Sequence, residues 1–171
     1  MELWDAYYRD GTPANRTLVR GEPVPEGLYH LVCTVLVQHT DGEFLLMRRD
    51  PNKESWPDVY EASAGGSVLA GEDMFTAAKR ELAEETGIRE GTFTLLYQGA
   101  GRVALHSGYL CVTDWPKDQI TPQKGETVAY KWVTREELLA MMEIRPPVIV
   151  VQRGVRAWLE GAEPVIQLDK A

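Results

Sequence analysis

An α+β layered domain is predicted, on three observations. Strand-length apolar runs and helix-length segments mix along the chain without the regular alternation of a doubly wound parallel sheet. The 171 residues show no change of character, which bounds the chain to one domain large enough to bury a core. The 44% hydrophobic and 26% charged content is ordinary for a globular protein.

The elements follow in order. Residues 31–37 (LVCTVLV) form a β-branched apolar run of strand length. Asp41-Gly42 is a turn signal, and Phe44-Leu45-Leu46-Met47 resumes the apolar run, so the two segments read as a hairpin. Residues 50–57 are a polar loop, and residues 60–64 a short strand leading into Gly65-Gly66. A helix is expected over residues 74–86, with Asp73 as its N-cap and Gly87 as its stop. Strand-like runs follow at residues 93–97, 103–105 and 109–112, then a loop rich in Pro, Asp and Lys at 114–125 and a strand at 128–133. Thr134 and Glu137 form a capping box for a helix to about residue 142. Pro146-Pro147 separates it from a last helix expected over residues 148–160. As a domain plan, residues 1–171 are one unit, with an N-terminal hairpin or extension at 1–27, a core at 28–145 and a C-terminal helix and tail at 146–171.

The formal net charge of -8 argues against a nucleic-acid polymer or an anionic membrane as partner, since both favour a basic stripe. A small phosphate substrate remains compatible, because bound cations can reverse a local field. Cys33 and Cys111 each lie inside an apolar run and read as buried thiols. Residues 1–10 lack a basic region followed by an apolar run, and no apolar stretch reaches membrane-spanning length, so a cytoplasmic location is expected.

Chemistry concentrates between Gly66 and Ile88. On a helix Glu81, Glu84 and Glu85 stand at i, i+3 and i+4 and project from one side. Phe75, Ala78 and Leu82 define an apolar stripe beside them, so packing that stripe on a sheet would leave the glutamates lining the edge of a cleft. Clustered carboxylates repel one another unless cations share the site, and oxygen-only ligation suits Mg²⁺ or Mn²⁺. Arg80 is spaced to pair with Glu84 across one turn, and Gly65-Gly66 lets backbone approach a metal or phosphate closely. A lone E-x-x-E-E would read as a solvated helix face. The longer pattern G-x5-E-x7-R-E-U-x-E-E-x-G-U, U being aliphatic, runs without a gap from Gly66 to Ile88. Its seven fixed residues, at roughly 6% background each, give a chance match on the order of one in a million.

That segment resembles the Nudix signature, and the likeness extends less specifically over residues 29–138. The resemblance implies an α/β/α sandwich with a mixed sheet and a metal-dependent hydrolase of pyrophosphate bonds in small diphosphate metabolites. Carried to matching positions, it implies Glu81, Glu84 and Glu85 as divalent-metal ligands, the carbonyl of Gly65 as a further ligand, Glu72 bracing the metal shell and Arg80 as an orienting residue. Bound cations would neutralise the diphosphate and activate a water for in-line attack on phosphorus. Glu81 is the first candidate for the base; Glu126, in a region that often supplies an extra carboxylate, is the alternative base or ligand, against a plain surface charge. Arg48 or Arg49 is a candidate for a substrate phosphate. Homodimers are common in the family, so a homodimer is implied by analogy.

Tyr29-His30, residues 48–53, Trp56-Pro57 and Glu126 six residues before Trp132 resemble the branch that contains isopentenyl-diphosphate isomerases. Those isomerases need a cysteine and histidines around a C-G-H-P segment, and here the aligned residues are Gly65-Gly66-Ser67-Val68. Isomerisation is rejected on that ground, and His30 reads as a structural or substrate-side residue. A non-catalytic sensing module is the third reading, disfavoured because every motif glutamate is present. Trp56 and Tyr60 are the aromatic candidates for substrate contact because they flank the loop into Gly65, and specificity is expected from the loops at 50–60 and 113–125.

Overall fold

A computed structural model describes residues 1–163 together with the short strand Val165–Ile166. Two strands, β1 (Leu3–Tyr7) and β2 (Pro13–Val19), pair antiparallel as a separate hairpin. The remaining strands form one mixed sheet. Its elements are β3 (His30–His39), β4 (Phe44–Arg49), β5 (Tyr60–Ala62), β6 (Ala64–Ser67), β7 (Thr92–Ala100), β8 (Ala104–Thr113), β9 (Thr127–Val133), β10 (Ile149–Val150) and β11 (Val165–Ile166). The order is β10-β5-β4-β3-β8-β7-β11, with β6 also paired to β3 and β9 to β4. Three helices complete the described chain: α1 (Met74–Thr86), α2 (Arg135–Glu143) and α3 (Arg153–Leu159).

The central strands separate two cores by simple alternation. Val35, Val37, Leu45 and Met47 face one side and pack with Ala77, Ala78 and Leu82 of α1. Leu36, Phe44 and Leu46 face the other and pack with Leu138 and Met142 of α2 and Val155 and Leu159 of α3. A sheet covered on both faces explains why residues 31–37 read as an unbroken apolar run. The architecture is the α/β/α sandwich with a mixed sheet. Cys33 and Cys111 are free and fully buried, and burial pushes their thiols up to about 12 and about 11.

Four expectations need correction. The turn at Asp41-Gly42 forms, with Gly42 at φ 99°, but β3 and β4 share only the Gln38–Phe44 register before they part. Farther along, β3 pairs with β8 in parallel and with β6, while β4 takes β5 and β9. The runs at 103–105 and 109–112 are one strand, β8, continuous through His106-Ser107-Gly108. The helix expected over 148–160 is instead the two-residue strand β10, parallel to β5, followed by the shorter α3. Pairing at the free edge of β5 competes successfully with helix propensity there. The tail after residue 163, apart from β11, lies outside the described residues. Finally, Phe75 is 42% exposed and packs edge-on against Phe93 rather than entering the core. The buried residues of α1 are Ala77, Ala78, Leu82, Glu85 and Thr86, and the charged Glu85 is the unusual one.

Candidate active site

The site is built where β6 runs into the loop before α1. Ser63, in a left-handed conformation at φ 56°, breaks the chain between β5 and β6. Its buried hydroxyl accepts from the amide of Val37 at 2.8 Å and donates to the carbonyl of Leu45 at 2.8 Å, which locks the crossing. Gly65 and Gly66 follow on β6, and both need the missing side chain. A Cβ on Gly65 would lie 2.7 Å from the carbonyl oxygen of Cys33, and one on Gly66 would lie 2.5 Å from Cδ of Glu81. Helix α1 then starts on Asp73, whose carboxylate accepts from the amides of Phe75 and Thr76 at 2.9 Å each. It stops at Gly87 in the left-handed region, φ 81°.

Arg80 is the hub of the site. Its Nε and Nη2 donate to the two oxygens of Glu72 at 2.9 Å each, a bidentate fork. Nη1 donates to Glu81 at 2.8 Å and to Glu84 at 3.3 Å, and Nη2 also reaches the carbonyl of Ser67 at 3.2 Å. One guanidinium therefore fixes three of the motif glutamates and the loop that leads to them. Glu72 is held below the usual carboxylate range chiefly by that fork, and it also accepts from the amide of Leu69 at 3.1 Å.

Glu81 and Glu85 behave in the opposite sense. Burial pushes Glu81 up, and Arg80 offsets this only in part. Glu85 is 6% exposed, and its only hydrogen-bond donor among the described residues is the amide of Gly65 at 3.1 Å. Burial, then the charges of Glu61 and Glu81, raise its carboxyl well above the ordinary value. Glu84 is about half exposed and sits at the rim.

These groups open onto a cleft of about 480 Å³, within the range of small-molecule sites. Gly65, Gly66, Arg80, Glu81, Glu84 and Glu85 line it together with Glu126 and Arg49. Glu72 braces the wall from behind through Arg80. Arg49 is already engaged: it donates to Glu61 at 2.6 Å and to the carbonyls of Trp56 and Ser55 at 3.1 Å each. Arg48 turns away to pair with Asp58 at 2.7 Å. Trp56 and Tyr60 are not brought to this cleft. The Trp56 ring is 53% exposed over a separate groove near Met142 and Ile149, and Tyr60 packs on the α2/α3 core under Lys131. The loop they flank is anchored by its backbone to Arg49; Trp56 is left on the outside and Tyr60 on the far face of the sheet.

Sequence reasoning missed four members. Glu61, on β5, is buried and pushed up by desolvation despite Arg49. Its signal was a lone charge in a three-residue strand next to Gly65-Gly66. Lys53 lines the cleft and is ion-paired with Glu126. Glu2 and Arg20 reach the mouth from the N-terminal hairpin and carry no spacing signal. His30 is structural: it is buried and stacked on Trp4 with ring centroids 4.1 Å apart.

The donor set fits a hard divalent cation. It is oxygen-only, it includes two glutamates that burial leaves short of compensating charge, and its glycines keep the wall free of Cβ atoms. Among the described residues no three such side chains converge on one point in ligating geometry; they turn instead to Arg80, Lys53 and the Gly65 amide.

A mixed sheet between helices, with an acidic helix edge opening on a small-molecule-sized cleft, defines an α/β/α sandwich with a candidate metal-binding site. The family model for the NUDIX domain matches residues 28–152, and the chain belongs to that family. An uncharacterised Nudix hydrolase of Listeria monocytogenes is 34% identical over 148 residues, covering 82% of this chain and 85% of the relative. One from Streptomyces coelicolor is 30% identical over 154 residues, covering 85% and 83%. Among solved structures, a Deinococcus radiodurans protein superposes with a TM-score of 0.74 at 18% identity, covering 93% of this chain and 98% of that one. The MutT protein of Methanosarcina mazei gives 0.58 at 23%, covering 77% and 91%; at these identities the likeness speaks to the fold. The chain is a Nudix pyrophosphohydrolase by family, and Nudix enzymes generally depend on a divalent metal. Among the described residues no helix is long and apolar enough to cross a membrane.

Proposed function

We propose that this chain hydrolyses a pyrophosphate bond in a nucleoside diphosphate derivative or a similar small diphosphate metabolite, with Mg²⁺ as its metal and Mn²⁺ as a substitute. Glu81, Glu84 and Glu85 would hold the cation, joined by the carbonyl of Gly65 and by Glu126. The observation that carries this reading is the floor of the cleft, where Glu85 is buried beside Glu81 and Glu61 with one amide donor for compensation. Such clustering is costly without a cation.

When bound, the metal supplies charge neutralisation of the diphosphate and a more acidic water. The chain's own groups do the rest. Glu81, raised by burial, is suited to take the proton from the attacking water, with Glu126 as the alternative base. The water oxygen bonds to phosphorus as the bridging P–O bond breaks, and the departing phosphate carries the electron pair. Arg80 and Glu72 keep Glu81 and Glu84 in fixed rotamers, and the Gly65 amide orients Glu85. Arg49 lines the same cleft and anchors residues 55–56 and Glu61, and of the two arginines ending β4 it is the remaining candidate for a substrate phosphate.

A small nucleotide-derived substrate is supported by the cleft's size and by a structural neighbour, the NUDIX domain of Shewanella oneidensis NrtR, solved complexed with ADP ribose. That domain shares the fold at a TM-score of 0.53 and 15% identity. We also assign a cytoplasmic working place, a single domain over residues 1–171, and self-association as a homodimer. The test is a diphosphate-substrate panel with Mg²⁺ or Mn²⁺ in ¹⁸O-labelled water. Label in a phosphate product is expected, and Glu84→Gln and Glu85→Gln should each cut turnover on the order of a hundredfold or more with the circular dichroism spectrum unchanged. Wild-type-like rates in both variants would remove the site.

A further inference from the structure

We propose that Arg20, delivered to the cleft by the N-terminal hairpin, is a substrate-binding residue that takes an anionic group lying beyond the scissile diphosphate, as the terminal phosphate of a nucleoside triphosphate does. The inference rests on the hydrolase reading above and specifies its substrate class.

Four basic side chains line the cleft: Arg20, Arg49, Lys53 and Arg80. Three are committed to the protein. Arg80 is held by Glu72, Glu81 and Glu84, Arg49 by Glu61 and two carbonyls, and Lys53 by Glu126. Arg20 differs. Its Nη1 donates to Glu2 at 2.7 Å, and among the described residues its Nε and Nη2 donate to nothing. The side chain is 61% exposed, so a ligand can reach it. Arg20 lines the same cleft as Glu81 and Glu126.

The guanidinium is aimed rather than loose. Glu2 receives Arg20 on one oxygen and the indole Nε1 of Trp4 on the other, each at 2.7 Å. Trp4 is buried against His30 on the central strand β3. The hairpin is further tied to the motif loop, since the Gly71 amide donates to Asp5 at 2.8 Å and the Ala70 amide to the Leu3 carbonyl at 2.9 Å. Thus β3, the hairpin and the motif loop together fix the position of one cation with donors to spare. Once cations sit on the inner carboxylates, Arg20 is the outer positive charge that a longer phosphate chain meets, and an arginine fork suits phosphate oxygens.

The experiment compares wild type, Arg20→Ala and Arg20→Lys on a nucleoside triphosphate and on a nucleoside diphosphate sugar, whose distal group is uncharged. Binding of a methylene-bridged, non-hydrolysable triphosphate is measured in parallel by calorimetry. For Arg20→Ala we expect the triphosphate KM to rise about tenfold, kcat to stay within about twofold, and the sugar's KM to hold. Arg20→Lys should recover part of the loss, and melting temperatures should agree. An equal change for both substrates, or none, overturns the proposal. If wild type cleaves neither substrate, the hydrolase reading fails on its own. The binding arm then decides: weaker analogue binding by Arg20→Ala sustains the assignment, and unchanged binding, or no binding by wild type, refutes it.

Discussion

Two regions meet at the same cleft and are held in different ways. The motif segment, residues 66–88, is pinned by the core under Leu82 and Ile88, by caps at both ends of α1, and by five hydrogen bonds from Arg80. The N-terminal hairpin has a small core of its own, Trp4, Ala6, Leu18 and Leu28. It joins the main sheet through one isolated bridge, Tyr7 to Tyr29, one aromatic stack and two hydrogen bonds to the motif loop. Groups that must keep sub-ångström positions for chemistry sit on the rigid side. The comparison also predicts that damage will read out differently: in turnover on one side and in substrate affinity on the other.

Among the tests of this contrast between the two regions, the largest expected effect comes from Gly66→Ala. Its new Cβ would collide with the carboxylate of Glu81, the far end of a flexible side chain, so the fold can yield by moving that carboxylate. Turnover should fall about tenfold to a hundredfold while the melting temperature changes little. Gly65→Ala is the control with the reverse signature. Its Cβ meets the backbone oxygen of Cys33, which cannot swing away, so stability should drop by about 1–3 kcal/mol. Thermal melts and kcat on the two variants check this. Equal loss of stability in both would mean that Glu81 is as immovable as backbone.

Trp4→Ala is the intermediate case, aimed at the looser region. Removing the ring deletes the stack on His30 and the donor to Glu2. Amide exchange should accelerate across β1 and β2 while α1 keeps its protection, and KM should rise several-fold with kcat nearly constant. Parallel loss of protection in α1 would show that the hairpin and motif open as one cooperative unit.

How much of this was legible in the sequence divides along the same line. The bounds of helix α1 are readable, because Asp73, the motif and Gly87 are local signals within one element, but its buried face is not, since Phe75 lies outside it. Strand β8 was read as two pieces because Gly108 interrupts its apolar run, yet glycine is required there: any Cβ would collide with the ring of Tyr97. The β10 edge pairing with β5 links residues about ninety apart, and nothing local marks it. In the site, the motif carboxylates declared themselves by spacing. Lys53, Glu2 and Arg20 did not, since only the folded sheet and the docked hairpin bring them to the cleft, nor did Glu61, which the sheet places behind it beside Arg49. Trp56 and Tyr60 were misplaced because proximity in sequence to Gly65 says nothing about which side of the loop a ring takes.

The smallest expected effect concerns pH and tests the hairpin's anchor. His30 and His106 lie near one another across β3 and β8, which pair Val32 with His106. Each has a buried Nδ1 without a partner among the described residues. Burial, then the charge of His106, lowers His30, opposed weakly by Glu2; burial alone lowers His106. For a base lowered on folding, the unfolded chain binds the proton first as pH falls. Stability is therefore complete above the unfolded histidine value, near 6.5, and declines as pH drops from there toward the folded value. Metal-free protein should lose at most a few degrees of melting temperature between about pH 7 and pH 5.5 from this source. His30→Phe, which keeps a ring beneath Trp4, should flatten that slope while leaving the hairpin docked. An unchanged slope in His30→Phe and in the matching His106→Phe variant would show that neither imidazole is its source; nor can Glu81 and Glu85 supply it, since carboxyls raised on folding gain stability as pH falls. The anchor under Trp4 would then owe its strength to ring packing alone.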